Sequence, residues 1–163
     1  MTLLPEDLLA LAQRVIAENR ALGRTVVLAE SCTGGLVAAA LTEIPGSSAV
    51  LDRGLVTYSN AAKHDLLGVS NDIIETFGAV SIACAWAMAQ GALTRSSADV
   101  AVAISGIAGP DGGSAQKPVG TVVFARAVKG NEEVLAEERW FDVPSRADVR
   151  HQAALVALEL LLP

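Results

Sequence analysis

This chain of 163 residues is poor in the side chains that most often bind metal ions. It contains two cysteines, Cys32 and Cys84, and two histidines, His64 and His151. None of the four has the spacing of a metal-binding motif, and two isolated cysteines are typical of a reducing compartment. We therefore expect no metal and no cofactor.

The sequence also lacks any apolar run that approaches the roughly 18–20 residues of a membrane span. Its hydrophobic fraction of 52 % and mean hydropathy of +0.43 are high, but alanine and buried parallel strands explain both. The chain begins with acidic residues, Glu6 and Asp7, where a signal peptide needs bases. We expect a cytoplasmic protein without membrane contact.

Basic residues are fewer than acidic residues in this sequence. Twelve lysines and arginines stand against eighteen acids, and the net charge of −6 argues against a nucleic-acid surface. A small anionic ligand held by a local cluster of bases is still compatible with this balance. The length predicts one domain, residues 1–163, that is large enough for a sizeable core.

The pattern of apolar residues predicts helices that alternate with strands. Helices are expected at 5–22, at 33–43, and after the caps Ser59, Ser70, Ser81 and Ser145; strands are expected at 24–30, 50–58, 99–104, 121–128 and 133–141. This order predicts a three-layer α/β/α sandwich. Its mostly parallel, mixed sheet would have about five strands, at least one of them antiparallel.

A polar turn from Glu30 to Gly35 joins the first strand to an alanine-rich helix. The first N–H groups of a helix lack partners within it, so such a turn suits an anion or an oxyanion that forms during acyl transfer. Ser31 would hold its hydroxyl at the end of the strand. A simple N-cap at Ser31 or Thr33 fits the same pattern.

Three polar turns, at 31–35, 58–63 and 105–117, follow the carboxyl ends of predicted strands. Ligands of open α/β sheets bind outside these ends, so we expect the turns to form one site. The third turn is rich in glycine. Its length favours a function over a plain surface loop.

Lys63 is the main candidate for a general base that would activate Ser31. It falls in the first turn of a predicted helix, where the helix dipole and partial burial favour a neutral amine. A solvated surface lysine fits the same pattern. His64 as the base and Cys32 as the nucleophile are further alternatives, although a buried structural thiol is the commoner role for such a cysteine.

Arg146 and Arg150 share one face of the last helix, near its N-terminus. A forked pair of guanidinium groups suits a phosphate. Ion pairs with Asp142 or Asp148 would explain the same two arginines.

Several of these motifs together resemble one family. Residues 29–35 (Ala-Glu-Ser-Cys-Thr-Gly-Gly), 54–60 (Gly-Leu-Val-Thr-Tyr-Ser-Asn) with Lys63, and 105–113 (Ser-Gly-Ile-Ala-Gly-Pro-Asp-Gly-Gly) with 117–121 (Lys-Pro-Val-Gly-Thr) look like the CinA C-terminal domain family. The resemblance covers essentially the whole chain, in the right order. Longer members of the family carry an additional N-terminal domain.

The resemblance implies hydrolysis of the carboxamide of nicotinamide mononucleotide (NMN), which releases ammonia and nicotinate mononucleotide in pyridine nucleotide recycling. It implies a serine nucleophile at Ser31 and a lysine base at Lys63. Around these two we expect further catalytic positions at Tyr58 and Ser105, an oxyanion site at Thr33, Gly34 and Gly35, and substrate contacts at Asn60, Gly106, Gly109, Gly112, Gly113, Arg146 and Arg150.

Two other functions fit the sequence. The chain could be a module that binds a pyridine nucleotide without hydrolysing it. It could also be a structural partner of another protein, associated with competence or DNA damage, that uses its apolar C-terminal helix. The same helix predicts a homo-oligomer, most simply a two-fold dimer.

Overall fold

The computed structural model describes residues 1–163 and contains a five-stranded sheet between two layers of helices. The strands are β1 (Val26–Glu30), β2 (Leu51–Val56), β3 (Val100–Gly106), β4 (Thr121–Val128) and β5 (Leu135–Trp140), in the order β2-β1-β3-β4-β5. β1 is parallel to β2 and β3, whereas β4 is antiparallel to β3 and to β5. Only β4 therefore runs against the others. The predicted three-layer sandwich with a mixed sheet is confirmed.

Serines begin four of the six helices. The helices are α1 (Glu6–Ala21), α2 (Leu36–Thr42), α3 (Asn60–Leu67), α4 (Asn71–Phe77), α5 (Ile82–Thr94) and α6 (Arg146–Leu161). The hydroxyls of Ser59, Ser70, Ser81 and Ser145 each accept a hydrogen bond from the backbone N–H three residues later. All four predicted caps are confirmed, because each satisfies an N–H group that has no partner within its helix.

The sheet has one face of large side chains and one face of small ones. Val100, Val102 and Ile104 of β3 belong to a core that includes residues of α1, α2 and α6, and we call this side the bulky face. Ala101 and Ala103 belong to a second core with residues of α3, α4 and α5, and we call this side the alanine face. Small side chains allow the helices of the alanine face to pack close to the sheet.

The register of the central strands places two serines side by side. β1 and β3 pair from Val26 with Val100 to Glu30 with Ile104, so Ser31, which follows β1, and Ser105, near the end of β3, lie at the same edge of the sheet. The N–H of Ser31 donates to the carbonyl of Ile104 at 2.9 Å. This hydrogen bond continues the pairing by one residue.

The apolar residues of α6 pack inside the chain. Seven of its residues are buried, among them Ala153, Val156, Leu158 and Leu161, and they form part of the bulky-face core. The apolar C-terminal helix that suggested an oligomer or a partner surface thus packs largely against the core of its own chain. A homodimer stays a prediction. No helix has the length and hydropathy that crossing a bilayer requires.

Candidate active site

A cavity of about 280 Å³ lies at the carboxyl ends of β1 and β3, beside the segment that follows β2. Its walls include residues of all three polar turns: Ser31 and Cys32 from the first, Tyr58, Asn60 and Lys63 from the second, and Ser105, Gly106, Gly109, Asp111 and Gly112 from the third. Arg146 at the start of α6 completes the rim. The chain connectivity thus brings together most of the residues that the sequence singled out.

Ser31 and Lys63 form a hydrogen-bonded pair at the floor of this cavity. The Nζ atom of Lys63 lies 2.9 Å from Oγ of Ser31, and both side chains are buried. Lys63 is in the first turn of α3, where the cap at Ser59 directs its side chain toward the end of β1. The alternative of a solvated surface lysine does not describe this residue, which is 1 % exposed.

Burial shifts the protonation equilibrium of the Lys63 amine toward its neutral form. Burial lowers the pKa of Lys63, because the ammonium loses hydration that the neutral amine needs less. Besides Ser31, Nζ has two partners, the carbonyl oxygens of Thr57 at 2.8 Å and Tyr58 at 3.3 Å. A neutral amine donates its two hydrogens to these carbonyls and keeps its lone pair for the hydroxyl proton of Ser31. The geometry therefore suits a general base.

Arg146 bridges two sides of the cavity mouth. Its Nη1 donates to the carbonyl of Gly109 at 2.7 Å, and its Nη2 donates to the hydroxyl oxygen of Tyr58 at 2.8 Å. The guanidinium thus connects the start of α6 with the glycine-rich turn and the segment after β2. Neither Asp142 nor Asp148 forms an ion pair with it, and the carboxylate of Asp148 instead accepts a hydrogen bond from Ser145.

Ser105 is fixed by the segment between α4 and α5. Its hydroxyl donates to the carbonyl of Ala79 at 2.8 Å, and the residue is 1 % exposed. Because the hydroxyl hydrogen is engaged, the oxygen faces the cavity as an acceptor. Such an acceptor suits a substrate N–H group.

The turn after Ser31 differs from the sequence expectation. α2 begins at Leu36 rather than at 33, since Gly34 and Gly35 have left-handed φ angles of 59° and 98°. Two N–H groups at the start of α2, those of Val37 and Ala38, donate to the buried carboxylate of Glu30 at 3.0 Å each. The N-terminal end of α2 is thus occupied by the carboxylate of Glu30, so it cannot also bind an anionic ligand.

Within the turn itself, some N–H groups are engaged and others are available. The N–H of Gly34 donates to the carbonyl of Ser31 at 2.9 Å, whereas those of Cys32, Thr33 and Gly35 donate to no backbone carbonyl. Cys32 lines the cavity, and Thr33, Gly34 and Gly35 do not. The available donor nearest to the cavity therefore belongs to Cys32, one residue before the predicted oxyanion positions.

Arg150 does not line the cavity. Its Nε donates to the carbonyl of Cys32 at 3.1 Å, and its Nη2 donates to the carbonyl of Thr33 at 3.0 Å. The two arginines of α6 thus have different surroundings. Arg146 reaches the cavity mouth, whereas Arg150 binds the backbone of the turn that carries Ser31.

The glycine-rich turn folds over the site and is tied to α4. Gly106, Gly109 and Gly112 line the cavity, while Gly113 packs against the returning chain, where a Cβ would lie 2.8 Å from the N atom of Val119. The Nζ of Lys117 donates to the carbonyl of Phe77 at the end of α4, at 2.8 Å. A cation at a helix C-terminus is electrostatically favoured.

The alternative catalytic groups are less suited to the chemistry. Burial raises the pKa of the Cys32 thiol to about 11, so this sulfur is not a thiolate near neutral pH. The Nδ1 of His64 lies 2.8 Å from the carbonyl oxygen of Val69, and His64 does not line the cavity. Both residues fit structural roles.

Comparison with known proteins agrees with the motifs. The family model of the CinA C-terminal domain matches residues 8–163. The chain belongs to the CinA C-terminal domain family. In sequence it is similar to "Nicotinamide-nucleotide amidohydrolase PncC" of Enterobacter agglomerans, with 53 % identity over 93 % of this chain and 92 % of that one. It is also similar to the protein of the same name in Escherichia coli K12, with 49 % identity over 95 % and 93 %.

Solved structures of the family share the fold throughout. The crystal structure of the competence/damage inducible protein CihA from Agrobacterium tumefaciens superposes with a TM-score of 0.94 and 54 % sequence identity, over 99 % of this chain and 97 % of that one. Other members are longer. The CinA-like protein of Syntrophotalea carbinolica is 51 % identical over 93 % of this chain, which corresponds to 37 % of its own length.

Three residues near the site were not identified from the sequence. Glu30 caps α2, the carbonyl of Ala79 accepts a hydrogen bond from the hydroxyl of Ser105, and Asp111 lines the cavity. Glu30 is the last residue of β1, and α2 begins only at Leu36, so no acidic residue beside the helix start marks this cap in the sequence. The carbonyl of Ala79 was not accessible to sequence reasoning either, because no side chain marks a backbone acceptor 26 residues away.

Proposed function

We propose that this chain hydrolyses the carboxamide of NMN to nicotinate mononucleotide and ammonia, with Ser31 as the nucleophile and Lys63 as the general base. The names of the relatives support the substrate and the reaction class. The observation that carries the mechanism is the 2.9 Å contact between Nζ of a buried lysine and the serine hydroxyl. The proposed pathway needs neither metal nor cofactor.

Acylation begins when the neutral amine of Lys63 takes the hydroxyl proton of Ser31 and Oγ attacks the carboxamide carbon. The resulting tetrahedral intermediate carries a negative oxygen. When the carbon–nitrogen bond breaks, the ammonium of Lys63 gives its proton to the leaving nitrogen, which departs as ammonia. The enzyme then holds a nicotinate ester on Ser31.

The turn after Ser31 supplies donors for the negative oxygen. The N–H of Cys32 is free of backbone partners and belongs to a residue of the cavity wall. We assign the first oxyanion contact to it and keep Thr33 and Gly35 as further donors. Gly34 contributes indirectly, because its N–H fixes the carbonyl of Ser31. Preorganised donors of this kind stabilise the transition state by about 3–4 kcal/mol each.

Other cavity residues orient the substrate. The oxygen of Ser105 accepts a hydrogen bond from the carboxamide nitrogen, and the hydroxyl of Tyr58, already bound by Arg146, keeps its own hydrogen for a substrate acceptor. Asn60 stands at the start of α3, beside them in the cavity wall. These groups place the amide carbon over Oγ of Ser31.

The phosphate of NMN would bind at the mouth of the cavity. Arg146 supplies the positive charge there, and Gly106, Gly109 and Gly112 of the glycine-rich turn leave room for the nucleotide next to the backbone. Charge-assisted hydrogen bonds to a phosphate contribute about 1.5–3 kcal/mol each. NMN should therefore have a kcat/KM more than tenfold above that of nicotinamide riboside, which lacks the phosphate.

Deacylation repeats the chemistry with water. Lys63, neutral again after the loss of ammonia, takes a proton from a water molecule that attacks the ester carbon. Collapse of the second tetrahedral intermediate returns the proton to Oγ of Ser31 and releases nicotinate mononucleotide. One base thus serves both halves of the reaction.

The test is to incubate the purified protein with NMN and to measure ammonia. Ser31→Ala should lower kcat by about 10³-fold or more. Cys32→Ala retains the backbone N–H and should cost far less, and Ser48→Ala, at an exposed serine, is the matched control. A chelator should leave the rate unchanged. An active Ser31→Ala enzyme together with an inactive Cys32→Ala enzyme would reverse the assignment of the nucleophile.

A nucleotide-binding module is the second candidate, because the glycine-rich wall of the cavity would serve binding alone. It predicts tight binding of NMN without ammonia release, so calorimetry on the same protein separates the two functions. We also propose a cytoplasmic location, which the two free cysteines, Cys32 and Cys84, support.

A further inference from the structure

Arg150 is the one predicted substrate-binding arginine whose hydrogen bonds go to the backbone beside the nucleophile. Its Nε and Nη2 atoms donate to two successive carbonyls, those of Cys32 and Thr33, at 3.1 and 3.0 Å. These two nitrogens form one edge of the guanidinium fork. A phosphate needs the same kind of edge for a two-point contact, and here it is already engaged.

The carbonyls that Arg150 binds determine the direction of the N–H groups in the turn. In a trans peptide unit the C=O and the next N–H point in opposite directions. The carbonyl of Cys32 therefore fixes the N–H of Thr33, and the carbonyl of Thr33 fixes the N–H of Gly34. The N–H of Gly34 in turn holds the carbonyl of Ser31 at 2.9 Å, which fixes the N–H of Cys32.

We infer that Arg150 is a positioning residue, which holds the peptide units after Ser31 in the orientation that directs the N–H of Cys32 at the oxyanion, and that it does not bind the substrate phosphate. The inference rests on the proposed function, because it assigns a role within that reaction. Arg150 acts through three peptide units and needs no contact with the substrate.

A buried charge fixes the other end of the same turn. The carboxylate of Glu30 holds the N–H groups of Val37 and Ala38, so the first turn of α2 cannot shift along β1. Between these two anchors lie Gly34 and Gly35, whose left-handed φ angles give the turn little stiffness of its own. The turn therefore depends on side chains from outside for its shape.

Steady-state kinetics with two substrates separates positioning from phosphate binding. Arg150→Met should lower kcat by about 10²-fold for both NMN and nicotinamide riboside, with each KM within about threefold of the wild type. Arg150→Lys should have a kcat between those of the wild type and Arg150→Met, because a single ammonium cannot reach both carbonyls as the planar guanidinium does. Arg146→Met should instead raise the KM for NMN. The control is Arg14→Met, at an exposed site on α1.

The inference is overturned if Arg150→Met raises the KM for NMN alone and leaves kcat unchanged, since that is the signature of a phosphate ligand. Hydrogen exchange of the ligand-free protein gives an answer that is independent of the substrate. Amides of residues 32–36 should exchange faster in Arg150→Met than in the wild type or Arg14→Met, and unchanged exchange would also overturn the inference. If the wild type releases no ammonia from NMN, the proposed function fails, and the exchange measurement still decides whether Arg150 holds the turn.

Discussion

The two faces of the central sheet differ in the size of their side chains and in what they supply to the site. On the bulky face, Val102 and its neighbours pack against α1, α2 and α6, and α6 carries Arg150 to the turn after Ser31. On the alanine face, Ala103 and its neighbours leave space for α3 and α5 to come close, and α3 carries Lys63 to the other side of Ser31. Ser31, the proposed nucleophile, thus lies between a lysine carried by the alanine face and a turn held from the bulky face.

This difference shows how a buried amine can be held at hydrogen-bond distance. The helices of the alanine face are themselves packed tightly, since a Cβ on Gly91 of α5 would lie 1.9 Å from the carbonyl oxygen of Leu67. Leu67 is the last residue of α3, one turn after Lys63. We therefore expect small residues to fix the position of Lys63, the proposed base, and large residues to fix the turn after Ser31.

Replacing Lys63, the proposed base, should produce the largest change. Lys63→Arg keeps a positive charge but cannot give up its proton, so kcat should fall by about 10³-fold or more. Lys63→Met should be equally inactive. For the wild type, kcat/KM should rise with pH through one ionisation that lies below the usual lysine value of about 10.4, because burial lowers the pKa of Lys63.

The control for this variant is Lys129→Arg, at an exposed lysine between β4 and β5, which should retain full activity. An active Lys63→Arg enzyme would mean that the lysine only places charge near the substrate. In that case the contribution of the alanine face would be electrostatic, and the base would have to be sought elsewhere.

The next largest effect should come from the contact between α3 and α5. Alanine normally stabilises a helix relative to glycine by about 1 kcal/mol, but Gly91→Ala places a methyl group against backbone. We expect a loss of about 1–3 kcal/mol in the free energy of unfolding and, because α3 moves with Lys63, a loss of up to about 10²-fold in kcat.

Urea unfolding and ammonia release measure these two losses on the same preparation. Gln90→Ala, at the neighbouring and half-buried position of α5, is the control and should change neither quantity much. A stable and fully active Gly91→Ala protein would show that the position of the base does not depend on this contact.

A pair of adjacent core substitutions should separate the roles of the two faces. Val102→Ala removes two buried methyl groups from the bulky face and should cost about 2–3 kcal/mol of unfolding free energy, with kcat within about threefold of the wild type. Ala103→Val adds two to the alanine face and should cost about 1–3 kcal/mol, but it should also lower kcat by about tenfold because α5 is pushed outward. Equal effects of both substitutions on kcat would contradict the division of roles.

Much of the fold was predictable because its signals are local. Four serine caps and the five strands each follow from residues within one turn or strand, and the structure has all of them. The meeting of the three polar turns follows from the topology of parallel strands, which needs no long-range information.

The remainder depends on contacts between residues far apart in the chain. Arg146 and Arg150 are equivalent on a helix of unknown surroundings, and only packing shows that one reaches the cavity while the other binds the carbonyls of Cys32 and Thr33. The apolar end of α6 has the same appearance whether it faces a partner or the core of its own chain. The sequence pattern of one segment does not show which part of the protein packs against it.

The smallest predicted effect is the pH dependence that the buried amine of Lys63 gives to the free energy of unfolding. Because burial lowers the pKa of Lys63, there is a pH range, from this lowered value up to about 10.5, in which the folded protein has lost the proton and the unfolded chain still binds it. Stability rises with pH wherever the unfolded state binds more protons, with a slope of at most about 1.4 kcal/mol per pH unit. The free energy of unfolding of the wild type, minus that of Lys63→Met, should therefore increase with pH across this range. Ser31→Ala keeps the buried amine and should keep the slope, so parallel curves for the wild type and Lys63→Met would show that folding does not shift the pKa of this lysine.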